Sequence, residues 1–513
     1  MTANTNTLSG SGSGIAIAEE TSQKVAGSDW FVFPRVDSYS AFKRNRNVVE
    51  DDSISSSYQQ ARGRNSGHDA EGGVTVPMQP ELMRFAPGFI FADVSQGFST
   101  APYGAAQATV DDVDGAGAYD TSLASVSGVA ADDLIFAEGF GDAANNGLGK
   151  VTANASGIVT VDTVGTTVDA SPATTGKISK VGVEADAGDL GLVLSGTELS
   201  LTSTTLDFTG IGAVVGGWIF IGGDDTADQF SAGYGYVRVS EISANLLKFD
   251  EVAWVGTLAT DAGAAKTIRL FVGDFIRYED QTANQTSTSY NVRRLIGEDA
   301  NGMMSEYLDG AYINSLKLSG SLDAKHTAEL SFMALDKNTR TGAEGLKAGT
   351  EIDLYDAERK PMVTPADVFR LKLSIVASEH NYGTELFAYA SEFSLDITNN
   401  LSVIRAVNAV DGIDVNRGVA AISGSITPYI KDSLMIAALD NDDDLSFNAI
   451  LALENRGVVY DIPYLMGSDD GLQIAQNEPV TLQVSMSGAM NRYGYSFAMT
   501  SFRYLPDVAM PVQ

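Results

Sequence analysis

The chain has 513 residues, 44% of them hydrophobic, and 66 acidic against 33 basic side chains give a formal charge of −33. This is ordinary globular content, which excludes a fibrous or disordered chain, and so acidic a surface repels nucleic acid unless a basic patch stands out. No run approaches the eighteen or so apolar residues of a membrane-spanning helix, and the lack of cysteine removes disulfides, thiolate metal sites and cysteine nucleophiles while suiting assembly in a reducing cytoplasm.

Residues 1–27 begin MTANTNTLSGSGSG, with neither the basic cluster nor the apolar stretch of a secretory signal, and are expected to be a flexible arm. Strands are predicted over 30–33 and 35–42. A polar stretch, 43–73, follows without stable periodicity and carries the best basic concentration, Lys43, Arg44, Arg46, Arg62 and Arg64. It lacks the interleaved aromatics of a single-strand binder, so a solvated or subunit-contacting loop is preferred to DNA binding. GGVTVPMQPELMRFAPGFIF, from Gly72, then reads as a strand, a proline turn and a short apolar helix.

From 105 to 267 the chain reads as an insertion with its own repeat, about 105–185 and 186–267. DDLIFAEGFGDAANNGLGKVTANASGIVTVD from Asp132 aligns with GGWIFIGGDDTADQFSAGYGYVRVSEISANLLKFD from Gly216. Each holds an apolar strand, a Gly and Asp rich turn, a valine strand and a final strand, which predicts two small β modules in tandem. Strands resume over 268–275, 289–296, 311–322 and 328–333. A connector, 337–378, is polar over 338–367 and ends with a strand at 369–375; further strands follow at 387–398, 419–427, 446–453, 479–487 and 495–504. The clearest helix is 432–439, with Asp432 or Ser433 as cap and Leu434, Ala438 and Leu439 on one side.

Two strands alternate strictly. Leu316, Leu318, Gly320 and Leu322 oppose Ser315, Lys317, Ser319 and Ser321, and Val480, Leu482, Val484 and Met486 oppose Thr481, Gln483, Ser485 and Ser487. Period two marks strands with one dry and one wet face. SYNVRRLIGED from Ser289 also matches SFNAILALENRG from Ser446, and the segment from Gly72 matches AAISGSITPYIKDSLMIAAL from Ala420. One β-rich unit is therefore written twice, first as 28–104 plus 268–336 and again as 379–513.

Catalytic signals are few. His68, His326 and His380 lie in separate segments without ligand spacing and read as structural. There is no GxSxG elbow, P-loop or strand-to-helix GxGxxG. The run from Asp440 to Asp444 lacks the glycine and glutamate of a calcium loop, with Leu451 at the twelfth position, so a solvated turn is preferred; Asp224, Asp225 and Asp228 are read likewise.

The order of GGVTVPMQPEL, YLDGAYINSLKLSGS from Tyr307, EFSLDITNNL from Glu392, GVAAISGSITPYIKD from Gly418 and YDIPYLMG from Tyr460 resembles the major tail tube proteins of phages with long non-contractile tails. The resemblance covers nearly all the chain outside the insertion. It implies a mainly β fold of duplicated tail-tube sandwich or half-barrel units with short helices, no enzyme activity and no cofactor or metal. It implies a structural virion protein, assembled in the host cytoplasm, that stacks as rings into a tail tube through which genome DNA passes without specific binding. Its partners would be its own copies, the tape measure protein, and the tail terminator and distal tail proteins, with no membrane.

With two units per chain, homotrimeric rings of pseudo-six-fold symmetry are expected, hexameric rings being the alternative. Ser315, Lys317, Ser319, Thr481, Gln483 and Ser485 are the tube-strand candidates. Arg44, Arg46, Arg62 and Arg64, in a loop enlarged only in the first unit, are the ring-stacking candidates. The insertion is expected to decorate the outside and to be dispensable for polymerisation. Two other readings are a secreted or surface-layer adhesin, against which the missing signal and absent nonapeptide calcium repeats count, and an acidic-pair glycosidase, for which no positioned acid and base can be named.

Overall fold

Strand accounts for 55% of the described residues and helix for 7%, which makes the protein mainly β. The computed structural model describes residues 14–50, 62–90, 107–121, 126, 128–170, 176–278, 287–299, 302–363, 366–387, 389–474 and 476–511. Outside the insertion the principal strands among the described residues are β1 (Gly14–Ser22), β2 (Asp29–Phe33), β3 (Ser38–Val49), β4 (Arg64–Pro77), β5 (Asp274–Arg277), β6 (Tyr290–Asp299), β7 (Gly302–Ser321), β8 (Thr327–Thr341) and β9 (Thr350–Asp353). The series continues with β10 (Val368–Ile375), β11 (Ala390–Thr398), β12 (Ala421–Pro428), β13 (Leu445–Leu453), β14 (Arg456–Gln473), β15 (Thr481–Gly488) and β16 (Ala498–Phe502). Two short helices are α1 (Ala86–Ile90) and α2 (Leu434–Asp440).

The neighbours of these strands repeat. In the first unit the order is β3-β4-β8-β7-β6-β1, and in the second it is β11-β12-β15-β14-β13-β10, antiparallel throughout. Each unit folds over along its longest strand. The first half of β7 pairs with β6, while its second half, beyond Asn314, leaves β6 and pairs with β11 of the other unit. An inner sheet and an outer sheet thus face one another, and one hydrophobic core, from Ile15 to Met499, fills the space between them across both units.

Several segments differ from their sequence reading. Within the expected flexible arm, Gly14–Ser22 is a strand paired with both β6 and β2, and Ile15, Ala16, Ile17 and Ala18 are all buried. That apolar run is short, yet both its faces are covered: Ile15 and Ile17 enter the main core, and Ala16 and Ala18 pack with Trp30 and Tyr307. Residues 1–13 lie outside the described residues. The expected polar loop is largely hairpin, with β3 and β4 paired from Ser38↔Thr75 to Val49↔Arg64. Main-chain ladders tolerate polar side chains on both faces, so the hairpin extends past Phe42 without apolar alternation; residues 51–61 lie outside the description.

The second half of the chain holds further departures. The sequence reading places no strand at β14, although the Glu454 and Asn455 turn before it has both residues at positive φ, the tight turn that closes a two-residue hairpin. In α2 the buried residues are Met435 and Ala438, one turn apart, whereas Leu434 is exposed; Asp432 accepts the Leu434 N–H. Strand β8 runs on to Thr341, inside the expected connector, and β9 there pairs parallel to β2.

The two repeats of the insertion form the same three-strand meander: Asp133–Glu138, Gly147–Ala155 and Ile158–Val161, then Trp218–Ile221, Tyr234–Ser243 and Leu246–Val255. Each has a core of its own. They are joined nonetheless, because Lys177–Glu184 pairs with Arg269–Val272 and makes one continuous sheet of the two. The chain then crosses Gly273 into β5, outside the insertion.

The insertion also packs against the second unit. Leu134, Val181, Trp218, Phe220, Tyr236 and Phe271 share one core with Ile450, Val459, Phe502 and Leu505. Charged groups are sealed into the same boundary. Arg238 donates to Asp250 at 2.8 Å and to Asp461 at 3.0 Å, and Lys372 pairs with Glu251. Sequence could not show this, since the apolar residues of β13 and β16 read equally well as facing their own unit.

Deleting residues 105–268 would expose Ile450, Val459, Phe502 and Leu505, each worth roughly 1.5–3 kcal/mol when buried. The expected outcome is an aggregating or unfolded product, measured by size-exclusion chromatography and thermal unfolding. A soluble monomer melting like the full chain would show that the second unit stands without the insertion.

Candidate assembly surfaces

The inner sheet is continuous through eight strands, β3-β4-β8-β7-β11-β12-β15-β14, four from each unit. Period-two alternation gives it two unlike faces. One is dry: Val74, Val76, Leu316, Leu318, Leu395, Ile397, Ile426 and Val484 point into the main core. The other is polar, and all six tube-strand candidates lie on it. Ser315 and Ser319 of β7 are half-buried and Lys317 is exposed; on β15, Thr481 and Ser485 are half-buried and Gln483 is exposed.

Hydroxyl groups bridge the rungs of this face. Ser315 lies 2.6 Å from Ser331, Ser319 is 2.9 Å from Thr327, and Ser394 is 2.9 Å from Ser425. Lys317 sits in register with Glu329 on one side and Asp396 on the other. Strands β11 and β12 contribute Glu392, Ser394, Asp396, Ser423, Ser425 and Thr427, none of which was selected from sequence, although SEFSLDIT and ISGSIT alternate as clearly as the strands that were.

The joint between the units is built on β7 and β11, paired from Ser315↔Thr398 to Ser321↔Glu392. Buried Asn399 locks it, donating to the carbonyls of Phe89 at 2.9 Å and Ile313 at 3.0 Å, while Asn314 accepts the Leu401 N–H at 3.0 Å. Beneath the joint lies His326, fully buried, its ring 5.7 Å from that of Phe393. Gly320 makes room for it: a Cβ there would stand 2.2 Å from the imidazole. Burial pushes the His326 pKa down to about 4, a hydrogen bond with the Ser319 main chain pulling the other way.

The four stacking candidates do not act as one group. Arg44 is turned inward, donating to Asp336 at 2.7 Å and to the Lys337 carbonyl. Arg46, Arg62 and Arg64 are exposed on the distal part of the β3–β4 hairpin. At the base of that hairpin, His68 lies 3.0 Å from both Asp336 and Asp411. Arg44 and Lys24 already balance these carboxylates, Lys24 reaching Asp411 at 3.0 Å, so the cluster reads as a charge clamp binding the hairpin to residue 411 of the second unit. Residues 68, 336 and 411 are too far apart in sequence for spacing to reveal it.

Several other titratable groups lie in packing contacts. His380 bonds Ser240 at 2.9 Å and Glu241 at 3.2 Å, joining the insertion to residues before β11. Asp461, buried against the insertion, has its pKa raised to about 6 by burial, with Arg238 opposing the rise. Asp228 is held by Arg269 and Thr267, and Asp444 by Tyr464. An open groove of about 580 Å³ beside Phe369, Leu386 and Phe387 has Glu385 at its edge, and Arg370 pairs with that carboxylate. Among the described residues no helix is long and apolar enough to cross a membrane.

The two units together present one continuous sheet with a dry face and a hydroxyl-rich face. A match to the phage tail tube protein family spans residues 10–488, and the chain belongs to that family. Comparison with curated proteins returned no match. Membership makes the protein a structural component of the virion tail that assembles with itself and other tail proteins into a tube; the family is not one of enzymes. The adhesin and glycosidase readings are not favoured.

His326 yields a pH signature. Its folded pKa is depressed, so below pH 6.5 the unfolded chain takes up a proton that the folded chain refuses until about pH 4. The stability present at pH 7 should fall by about 2 kcal/mol at pH 5 through this residue alone. The His326→Gln variant should lose correspondingly less melting temperature between pH 7 and pH 5. Parallel melting curves for the two proteins would show that His326 titrates normally.

Proposed function

We propose that three copies close into a ring whose wall is one continuous barrel, and that the rings stack into the conduit for genome DNA. The observation that carries this is the passage of the inner sheet from the first unit to the second through β7 and β11, each unit supplying four strands. Strand number then sets the bore. With strands ~4.8 Å apart, tilted ~38° and lined by a side-chain layer ~5 Å deep, three copies give about 24 strands and a bore of about 37 Å. Two copies give about 16 strands and about 20 Å, which a duplex would fill wall to wall.

The polar face of the inner sheet lines this bore. Its hydroxyl groups are largely engaged with one another, and acidic residues outnumber Lys317. In physiological salt the Debye length is about 8 Å, so the carboxylates keep phosphates off the wall at short range without a binding site. The outer sheet lies beyond the main core, and the insertion lies beyond the outer sheet, packed on the face of β13 and β16 that points away from the bore. That layering supports an external place for the insertion, three copies to a ring. The distal β3–β4 hairpin, with Arg46, Arg62 and Arg64, reaches the next ring. A tape measure protein within the tube and terminator and distal proteins at its ends complete the assembly, which forms in the host cytoplasm.

Averaged axial electron micrographs of assembled protein should show a six-lobed wall with three outer projections. Six projections would mean that each chain makes one sector and that the rings are hexamers. Removing residues 47–65 should leave rings that close but do not stack, counted as single rings against tubes in the same micrographs; long tubes from that variant would remove the hairpin from the ring contact.

A further inference from the structure

The β6–β7 ladder breaks step at one point, and an amine, an amide and a carboxylate meet there. Tyr290 pairs with Ala311 and Val292 with Leu308, so Asp309 and Gly310 together stand opposite Asn291, and Gly310 takes a φ of 61°. A bulge of this kind re-aims the side chains beside it, and bulges gather near reactive sites. From the connector, Lys347 reaches this place: its amine donates to Oδ1 of Asn291 and, at 2.6 Å, to Oδ1 of Asp309. Asn291 and Asp309 are buried, and the Lys347 side chain is 19% exposed. The amine stands 4.8 Å from the centre of the buried Tyr307 ring, which meets Trp30 edge-on. On its other side the Asn291 amide donates through Nδ2 to Glu20, whose carboxylate also accepts from the Gly310 N–H at 2.8 Å and the Ser289 hydroxyl at 2.6 Å. Lys372 and Lys180 are buried too, but each of them faces a carboxylate and a main-chain carbonyl. Lys347 faces a side-chain carboxamide, which can exchange its nitrogen for another amine.

We propose that Lys347 and Asn291 are joined by an isopeptide bond that the folded chain makes on itself. Asp309 takes a proton from the Lys347 ammonium, and the neutral amine attacks Cγ of Asn291 as a nucleophile. The carbonyl re-forms as the Cγ–Nδ2 bond breaks. Lys347 begins with three N–H protons and ends with one; the other two are carried to the departing nitrogen, through Asp309, and it leaves as ammonium. One C–N bond forms, one breaks, and nothing is oxidised or reduced. The fold supplies what such a reaction needs. Holding the reacting groups in one site is worth an effective concentration of about 10⁵–10⁸ M when they are well oriented. Glu20 holds Nδ2, so the amide presents its carbonyl to the amine, and the Tyr307 and Trp30 rings keep out the water that would compete. The bond ties β6 of the outer sheet to the connector, 56 residues further along the chain. Closing that loop removes freedom from the unfolded chain and prevents the connector from peeling off the first unit.

Mass spectrometry tests this on the full chain. Unfolded in denaturant, the unaltered protein should weigh one ammonia less than its sequence, and its protease digest should contain a branched peptide that carries both Asn291 and Lys347. The Lys347→Arg variant keeps a cation for Asp309 but cannot form the bond. It should show the sequence mass and two separate peptides, and it should melt at a lower temperature than the unaltered chain. Asp309→Asn, with its strand content checked by circular dichroism, should show a smaller branched fraction. Two separate peptides from the folded, unaltered chain would overturn the proposal. An ammonia loss confined to a linear asparagine peptide would also overturn it, because an asparagine can lose ammonia by closing on its own backbone. So would an ammonia loss that persists in Lys347→Arg. A branched fraction undiminished in folded Asp309→Asn would overturn the proton transfer assigned to Asp309.

Discussion

The structure depends on the main-chain ladder between β7 and β11. A strand edge is a row of unsatisfied donors and acceptors, and leaving it bare invites uncontrolled association. By turning from β6 to β11 midway along its length, β7 serves the outer sheet of its own unit and the inner sheet of both. The main core then lies between the two sheets as one body, and the polar face of eight strands is held in a single curved surface. Asn399, whose amide is shared between helix α1 and β7, fixes the point at which the turn occurs.

A second constraint acts on the far side of the outer sheet. Arg238 and Lys372 are buried with Asp250, Asp461 and Glu251 at the boundary with the insertion. Buried ion pairs add little net stability, because the cost of removing both charges from water offsets their attraction. They do exclude alternatives: a sheet that slipped past the insertion by one rung would leave several charges buried without partners. The ions register the insertion on the second unit, and the aromatic groups around Phe220, Tyr236 and Phe502 supply the adhesion. In the first unit the corresponding surface, around Trp30 and Tyr307, is closed instead by the connector, with Ala348 accepting from the Trp30 indole.

Local chemistry was legible wherever it was periodic. The alternation of β7 and β15 placed Ser315, Lys317, Ser319, Thr481, Gln483 and Ser485 on one polar face without reference to any neighbour. The proline turn after β4 and the helix before β13 could be read from short strings. Where periodicity failed, reading failed: β1 is buried on both faces, β3 and β4 are polar on both beyond Phe42, and the first half of β14 is buried on both faces from Val458 to Ile462. Each lacks the contrast between faces that marks a half-buried strand.

What the sequence determined by itself is the strand-rich class, the duplication and the identity of the wet and dry residues, because these follow from side-chain chemistry repeated every second position. Only the tertiary structure decided which strands are neighbours. Main-chain hydrogen bonds carry no residue label, so nothing in the composition of β7 names β11 as its partner, and nothing in Ile450 or Phe502 tells a core shared with the insertion from one within the unit. The junctions between repeats and the clustering of His68 with Asp336 and Asp411 arise between residues distant in sequence. They exist only once the chain has closed on itself.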